Sequence, residues 1–552
     1  AYGKLIVKHI VVELKQMCGI VALFAYESTA APVDTAELRL IRDRMARRGP
    51  DGTGEWFSDD GRVALGHRRL SIIDLRAIAD QPMEYDGGRL RIVFNGEIYN
   101  YRALKDELKQ KGQTFRTESD TEVILHLYDR DGRDGIRRLR GMYAFVLYDM
   151  KRGGVLLARD PLGIKPLYVA DDGKTLRVAS QVKALLSGGR IDTRPDPAGH
   201  AGFFLWGHIP DPFTLYRGIR SLPAGTTQWI DAHGPETPRP FWNLVETLAA
   251  APPAPTAPAA RRNALREILI DSLRHHFIAD VPVGVFLSAG LDSTTIAALA
   301  TENGANNLIT LTLGFREFDG SEYDEIGLAE QVSRQRATRH TTRLVSDREF
   351  AAKRSDLIDA MDQPTIDGIN TYFIAMAAHE VGLKVALSGL GGDEVFAGYP
   401  SFHQIPQLVR LLGPFAGLAG FGRKLRQVMA FFLHNRVPPK HTGLLEYGTS
   451  YAGAYMLRRC LFMPWEIADL LPEEMAIVGL RELDTLNHLE RDIADLDNPR
   501  LKVTALEIAW YMRHQLLRDS DWASMSHSLE IRVPFVDVEL IAQLAPFLAS
   551  DT

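Results

Sequence analysis

Three short segments carry residues able to do chemistry. The first, Met17-Cys18-Gly19-Ile20, sets a cysteine directly behind a methionine. Removal of that methionine would make Cys18 residue one, with its thiolate as nucleophile and its own α-amino group as base. Reference pKa values of ~8 for the amine and ~8.5 for the thiol allow proton exchange near neutral pH. An acylated α-nitrogen cannot serve as that base, so a chain that keeps residues 1–16 is predicted to be inactive at this thiol. Alone, the segment is no stronger than a chance cysteine. The second segment is Leu287-Ser288-Ala289-Gly290-Leu291-Asp292-Ser293. Its small residues let backbone wrap a phosphate, its two hydroxyls donate, and a helix start adds positive potential. No Gly-Lys-Ser/Thr follows, so it is not a Walker loop. Asp292 is a candidate ligand for Mg²⁺, which takes one or two carboxylates and completes its shell with phosphate oxygens and water. The third segment, Ser388-Gly389-Leu390-Gly391-Gly392-Asp393-Glu394, repeats the glycine-rich theme and adds Asp393.

These segments need scaffolds, and the flanking patterns supply them. From residue 18 to about 240 short β patterns dominate: GIVALFAY, RIVFNGEIY, YAFVLYD and VLLARD are apolar and bounded by Gly, Asp or Asn. Two helical stretches interrupt them, DTAELRLIRDRMARRG, with Asp34 or Thr35 as cap and Gly49 as stop, and YRALKDELKQKG. The Ala/Pro-rich run TLAAAPPAPTAPAARR then reads as an extended linker. From Arg262 on, buried strands (VPVGVFLS, NLITLTLGF, LKVALSG) alternate with helices and run into polar Gly-rich turns. That alternation predicts a parallel α/β sheet with its ligand at the strand C-termini. The rest of the chain reads largely helical.

The 552 residues fit two or three domains, with an α+β N-terminal half and an α/β C-terminal half, and 45% hydrophobic with 24% charged residues is ordinary for a globular protein. The net charge of −6 gives no basic field for nucleic acid, and Arg137-Arg138 reads as solvated surface. Cys18 and Cys460 form no CxxC pair, which argues against a zinc site or disulfide framework and for a reducing, cytoplasmic setting. No run of ~18 apolar residues predicts a membrane span. Residues 1–16 lack the features of a signal peptide. They read as an extension or artefact ahead of a true start at Met17, with a removable propeptide as the alternative. The expected divisions are 1–16, 17–240, a linker at 241–261, and 262–552.

Further motifs follow Cys18 in order: Arg47-Arg48-Gly49-Pro50-Asp51, Gly66-His67-Arg68-Arg69-Leu70-Ser71-Ile72, Asn95-Gly96-Glu97-Ile98-Tyr99-Asn100 and Glu118-Ser119-Asp120. With them, residues 17 to roughly 225 resemble the class II glutamine amidotransferases, an N-terminal nucleophile family with an αββα sandwich. The resemblance implies that Cys18 attacks glutamine. Arg69 would bind its α-carboxylate, since a guanidinium meets a carboxylate bidentately. Asp120, assisted by Glu97, would bind its α-ammonium. The Asn95 side-chain amide and the Gly96 N–H would form the oxyanion hole, worth ~3 kcal/mol per donor. In isolation Asn-Gly reads instead as a hairpin turn.

The second segment looks like the pyrophosphate loop of adenylating ATP-pyrophosphatases, with Ala289 where a glycine is usual. With both halves in this order, the chain resembles the glutamine-hydrolysing asparagine synthetases. The resemblance implies an adenine-nucleotide α-hydrolase-like domain in which Leu287–Ser293, Leu313, Ser388 and Gly389 bind ATP and Asp292 and Asp393 hold Mg²⁺. Ser528-Leu529-Glu530-Ile531-Arg532-Val533-Pro534-Phe535 is a further hallmark, read as structural. The implied partners are glutamine, ATP and a carboxylate, aspartate by default, with a homodimer frequent in the family. Two departures stand out. Leu390 replaces the usual glutamate, which makes aspartate doubtful and opens uronic acids or other carboxylated metabolites. Asp362, Asp367 and Tyr372 fall where the family forms part of its acceptor pocket. Only seventeen residues follow Phe535, with no counterpart of the family's pyrophosphate-binding lysine, so a truncated C-terminus is expected. A cyclase of the β-lactam synthetase or lasso type is a rival, opposed by the complete set Cys18, Arg69, Asn95, Gly96, Glu97 and Asp120. A non-catalytic glutamine sensor is another, opposed by Asp292 and Asp393.

Overall fold

A computed structural model describes residues 18–250, 254–255, 257–318, 320–321, 324–433 and 438–550. The expectations for residues 1–16 and for a terminus at Thr552 lie outside these residues.

The continuous apolar run GIVALFA becomes the strand Gly19–Ala25, buried on both faces. Ile20, Ala22 and Phe24 point into a core shared with Val93, Ala144 and Val146 of a second sheet. Val21 and Leu23 point the other way, onto Leu38 and Ile41 of the helix Thr35–Arg44. The second sheet repeats this: Ile92 and Phe94 face Leu104, Leu108 and Ile124 of the helices outside it. The period of two thus forces helix, sheet, sheet, helix. Both sheets are antiparallel, one of six strands and one of seven among the described residues. Asp34 caps its helix by accepting the Ala36 N–H at 2.8 Å, and the helix ends at Arg44, before the expected Gly49.

In the Ala/Pro-rich region, short helix Leu244–Ala249 ends the first half and Pro258 opens the nineteen-residue helix Pro258–His276. Proline at the first helical position costs nothing, because its missing N–H would have been unpaired anyway.

The C-terminal half carries a five-stranded parallel sheet in the order Arg339–Val345, Ile309–Phe315, Val283–Phe286, Val385–Leu387, Glu530–Arg532. The chain direction across the sheet reverses between Val283–Phe286 and Val385–Leu387. Their C-terminal ends therefore open a crevice with no crossover helix over it, the usual ligand site of such sheets. The segments Leu287–Ser293 and Ser388–Glu394 both leave from that crevice.

Buried ion pairs join the halves. Arg48 donates to both carboxylate oxygens of Asp521, at 2.7 and 2.9 Å, with both side chains under 7% exposed (2% and 6%). Arg140 likewise grips Asp537 at 2.7 to 3.1 Å. Removing one partner of such a pair strands a charge away from water. Asp521→Ala is expected to destabilise the protein by about 3–5 kcal/mol, seen as a lowered denaturation midpoint, whereas the exposed Arg44–Asp359 pair should tolerate Asp359→Ala with less than about 1 kcal/mol lost.

Candidate functional site

Cys18 precedes the first strand, and its Sγ accepts the Leu70 N–H at 3.3 Å while pointing at Leu70 O, 3.6 Å away. Arg48 Nε holds the Cys18 carbonyl at 3.2 Å. Arg69 ends the neighbouring strand Val63–Arg69, hydrogen-bonded to the carbonyls of Asp74 and Arg76 at 2.5 and 3.1 Å and to Asp80 at 2.6 Å. Asp80 is half-exposed, so an incoming carboxylate can displace it at little cost. Asn95 and Gly96 lie inside the nine-residue strand Leu90–Ile98, not in a hairpin turn. Gly96 has φ +147°, and a Cβ there would sit 2.0 Å from Met142 O on the paired strand, so no other residue fits. Among the described residues Asn95 Nδ2 has no hydrogen-bond partner although Asn95 is 1% exposed. It is a buried donor kept free, which is costly unless something accepts from it.

Asp120 opens the helix Asp120–Asp131, which Ser119 caps. Its carboxylate accepts the Ile98 N–H at 2.9 Å, and burial lifts it to about 6. Glu97 is buried and raised well above the usual carboxylate range by desolvation, against the pull of Arg532, whose Nη2 lies 3.4 Å away. Cys18, Arg69, Asn95, Gly96, Glu97 and Asp120 all border one cavity. So does Glu530, from the other half of the chain. The hallmark segment read as structural therefore contributes to this site. Arg532 Nε donates to Glu530 at 2.7 Å, Lys165 Nζ lies 3.7 Å from Glu530, and Arg532 is fully buried. No local pattern signalled this role, because the rest of the cavity lies hundreds of residues away in sequence.

The crevice of the parallel sheet holds a second cavity of about 740 Å³. Leu287, Ser288, Gly290, Leu291, Asp292, Ser293, Leu313, Ser388, Gly389 and Asp393 border it, and Ala289 alone of the expected loop does not. Ser293 Oγ accepts the Ser288 N–H at 3.1 Å and meets Ser288 Oγ at 2.9 Å, which closes the loop at the start of the helix Leu291–Glu302. Asp292 packs on Gly392, where a Cβ would come within 2.2 Å of its Cγ. Burial and the neighbouring Asp393 charge raise the Asp292 carboxyl to about 6. Among the described residues no cluster of three or more His, Cys, Asp or Glu could hold a metal alone. Two carboxylates that repel each other beside a phosphate-sized loop fit a cation that arrives with phosphate oxygens. Leu390 borders the same cavity.

Of the three expected acceptor residues, Asp362 instead accepts the Val182 and Lys183 N–H groups at 2.9 and 3.1 Å, tying a helix of the first half. Tyr372 is buried against Phe373 and, at 4.3 Å between ring centres, His527. Asp367 borders a cavity distinct from the nucleotide crevice.

Residues 17–242 match the glutamine amidotransferase domain model and residues 264–545 the asparagine synthase model. The chain belongs to the glutamine-hydrolysing asparagine synthetase family. Asparagine synthetase 1 of Bacillus subtilis is 31% identical, over 94% of this chain and 79% of its own. A Mycobacterium tuberculosis protein provisionally named as such a synthetase is 35% identical, over 95% of this chain and 81% of its own. A protein named Amidase chry2, from Gibberella zeae, is 28% identical over 95% and 81%. Membership makes the chain an ATP-dependent carbon–nitrogen ligase with glutamine as amide donor. No helix among the described residues is long and apolar enough to cross a membrane.

The Cys18 thiol is pushed up to about 12, chiefly by burial, and Cys460 is also raised by burial. In a chain that retains residues 1–17, iodoacetamide at pH 7.5 should therefore label Cys18 about three orders of magnitude more slowly than a free cysteine, because only the thiolate reacts. Rapid labelling, read by mass spectrometry, would show a thiol already activated without a free amine.

Proposed function

We propose that the chain, started at Cys18, hydrolyses glutamine at the first cavity and uses the ammonia to amidate a carboxylate adenylated at the second. The observation that carries this reading is the free Asn95 Nδ2 in the same cavity as Cys18, Arg69 and Asp120. The thiol gives its proton to the α-amine and attacks the amide carbon. Asn95 Nδ2 and the Gly96 N–H stabilise the oxyanion, the α-ammonium returns its proton to the amide nitrogen as the C–N bond breaks and ammonia leaves, and water then cleaves the thioester, restoring the thiol. At the second site a carboxylate oxygen attacks the α-phosphorus of ATP. The Pα–O bond to pyrophosphate breaks, and an acyl-adenylate forms. Neutral ammonia attacks its acyl carbon, loses a proton, and AMP departs. Ser288, Ser293 and Ser388 would cradle the phosphates, with Leu313 against the base. Asp292 and Asp393 would hold a Mg²⁺ ion, which when bound neutralises charge on the departing pyrophosphate. Any homodimer, and the cytoplasm as compartment, belong to this proposal.

Aspartate is the family default as acceptor. A second reading, a different carboxylate, is favoured by Leu390: leucine in the wall of the nucleotide cavity cannot bind an ammonium or move a proton. Pyrophosphate release with ATP, Mg²⁺, glutamine and aspartate separates the two. Release with asparagine formed supports aspartate; its absence beside intact glutamine hydrolysis removes it.

Two substitutions test the sites separately. Asp292→Asn should weaken Mg²⁺-dependent ATP binding roughly tenfold or more by calorimetry and leave binding in EDTA unchanged. At the first site Asp120 is charged only above about pH 6. As pH falls below 6 it gains a proton and loses its hold on the substrate ammonium, so kcat/KM for glutamine should fall toward tenfold per pH unit. Asp120→Asn should be low throughout and lack this inflection.

A further inference from the structure

A third cavity, of about 320 Å³, opens beside the nucleotide crevice and has no role in the chemistry above. Its size is that of a small-molecule site. One wall is the π-helical segment Glu507–Leu517, on which Tyr511 and Gln515, four residues apart, both face the cavity. π-Helical turns recur at functional sites because the wider winding re-aims side chains. Trp206 and Tyr455 form an aromatic wall, their ring centres 6.0 Å apart.

Two buried polar atoms in this wall lack partners among the described residues. They are the Trp206 indole Nε1 and His208 Nε2, on residues 3% and 1% exposed. His208 Nδ1 meets Gln515 Oε1 at 3.2 Å, so it carries the proton and leaves Nε2 as an acceptor. Desolvation keeps this imidazole neutral. Both atoms are covered from solvent beneath the wall, and where the wall yields to a ligand they offer one donor and one acceptor, a combination that hydroxyl groups satisfy and hydrocarbon does not. Arg459, Arg458 and Lys440 also border the cavity, with Asp367 as the one lining carboxylate. Glu507 neutralises Arg459 at 2.9 Å. Lys440 and Arg458 against Asp367 leave one positive charge for an anion.

Two links tie this chamber to the nucleotide crevice. Asp367 borders the chamber, and Asn370, three residues on at the start of the helix Ile369–Glu380, borders the crevice. On the opposite side Tyr399 donates to Glu394, next to Asp393, at 2.9 Å, and its ring lies 4.5 Å from Arg459. The chamber is thus linked to the nucleotide crevice through Asp367 and Asn370 on one element and through Tyr399 and Glu394 on another.

Resting on the ligase reading above, we propose that this chamber holds the body of the acceptor, a hydroxylated ring acid carrying a second anionic group. The ring lies on Trp206 and Tyr511, its hydroxyls meet Trp206 Nε1 and His208 Nε2, and the second anion faces Lys440 and Arg458. Aspartate has no ring or hydroxyl for Trp206, Tyr511 or His208, and its second carboxylate stands beside an ammonium that the cations Lys440 and Arg458 repel.

The test measures pyrophosphate release from ATP by the chain begun at Cys18, with D-glucuronic acid 1-phosphate and with L-aspartate as probes. Saturable release is expected with the sugar acid. Arg458→Glu and Lys440→Met, both at partly exposed positions, should each raise its KM roughly tenfold while leaving ATP affinity and glutamine hydrolysis unchanged. The inference is overturned if aspartate saturates the enzyme with a KM that neither substitution moves. It is equally overturned if neither acid supports release by a protein that binds ATP and hydrolyses glutamine. Loss of ATP binding or of glutamine hydrolysis in the unsubstituted protein would instead overturn the ligase reading on which it rests.

Discussion

The guanidinium of Arg532 is the constraint on which the arrangement depends. It is fully buried, and burying a charge costs several kcal/mol unless every donor finds an acceptor. Nε reaches Glu530 at 2.7 Å, and Nη1 donates to the carbonyls of His276 and Ile278 at 2.9 and 2.6 Å. Nη2 is left facing Glu97 of the first half, 3.4 Å away. Glu530 on the same strand compensates the charge, and docking of the two halves adds Glu97 as a second anion beside an Nη2 that has no hydrogen-bond partner among the described residues. Its own backbone carbonyl accepts the Ser388 N–H at 2.9 Å, so the same residue sets the height of a loop in the nucleotide crevice. One three-residue strand thus borders the first cavity through Glu530 and anchors a loop of the second through the Arg532 carbonyl.

The other contacts between the halves follow from this docking. Arg48 pairs with Asp521 only a few residues ahead of that strand, and Arg48 also holds the Cys18 carbonyl. Lys384, beside the strand Val385–Leu387, reaches Asp51 at 2.6 Å. Each pair alone is weak evidence of stability, since desolvation offsets much of the attraction. Their common effect is orientation, because a bidentate guanidinium–carboxylate pair tolerates little rotation.

How far the sequence could be read divides along sequence separation. Strands and their turns were legible because alternation and glycine act within a few residues. GIVALFA, YAFVLYD and the crevice loops formed where expected. The Asn95-Gly96 dipeptide was ambiguous locally, and its place within a strand was decided by Tyr143 and Met142 on the paired strand. Glu530 and Asp362 could not be assigned from local pattern, since their neighbours are hundreds of residues away or, for Asp362, about 180. The same holds for Trp206 and His208, whose cavity is completed by residues 440 to 515. In the Ala/Pro run, composition predicted an extended linker, but proline is tolerated in a first turn and the helix from Pro258 begins inside it.

Leu390 and the flanking chamber bear on one question from opposite sides. A carboxylate at position 390 would compensate an acceptor ammonium and attract ammonium from solution. Leucine does neither, so an ammonium held there would pay its desolvation with no return. The chamber has the converse balance. Lys440 stands near Arg458, and its ammonium is held below the ordinary lysine range by burial first and by that second cation among the lesser causes. An anion placed between them relieves both costs. The charge lost from the crevice wall and the excess in the chamber thus disfavour the same ligand, an amino acid with a free ammonium near its reacting carboxylate, and favour one whose remaining charge is negative and some distance from it.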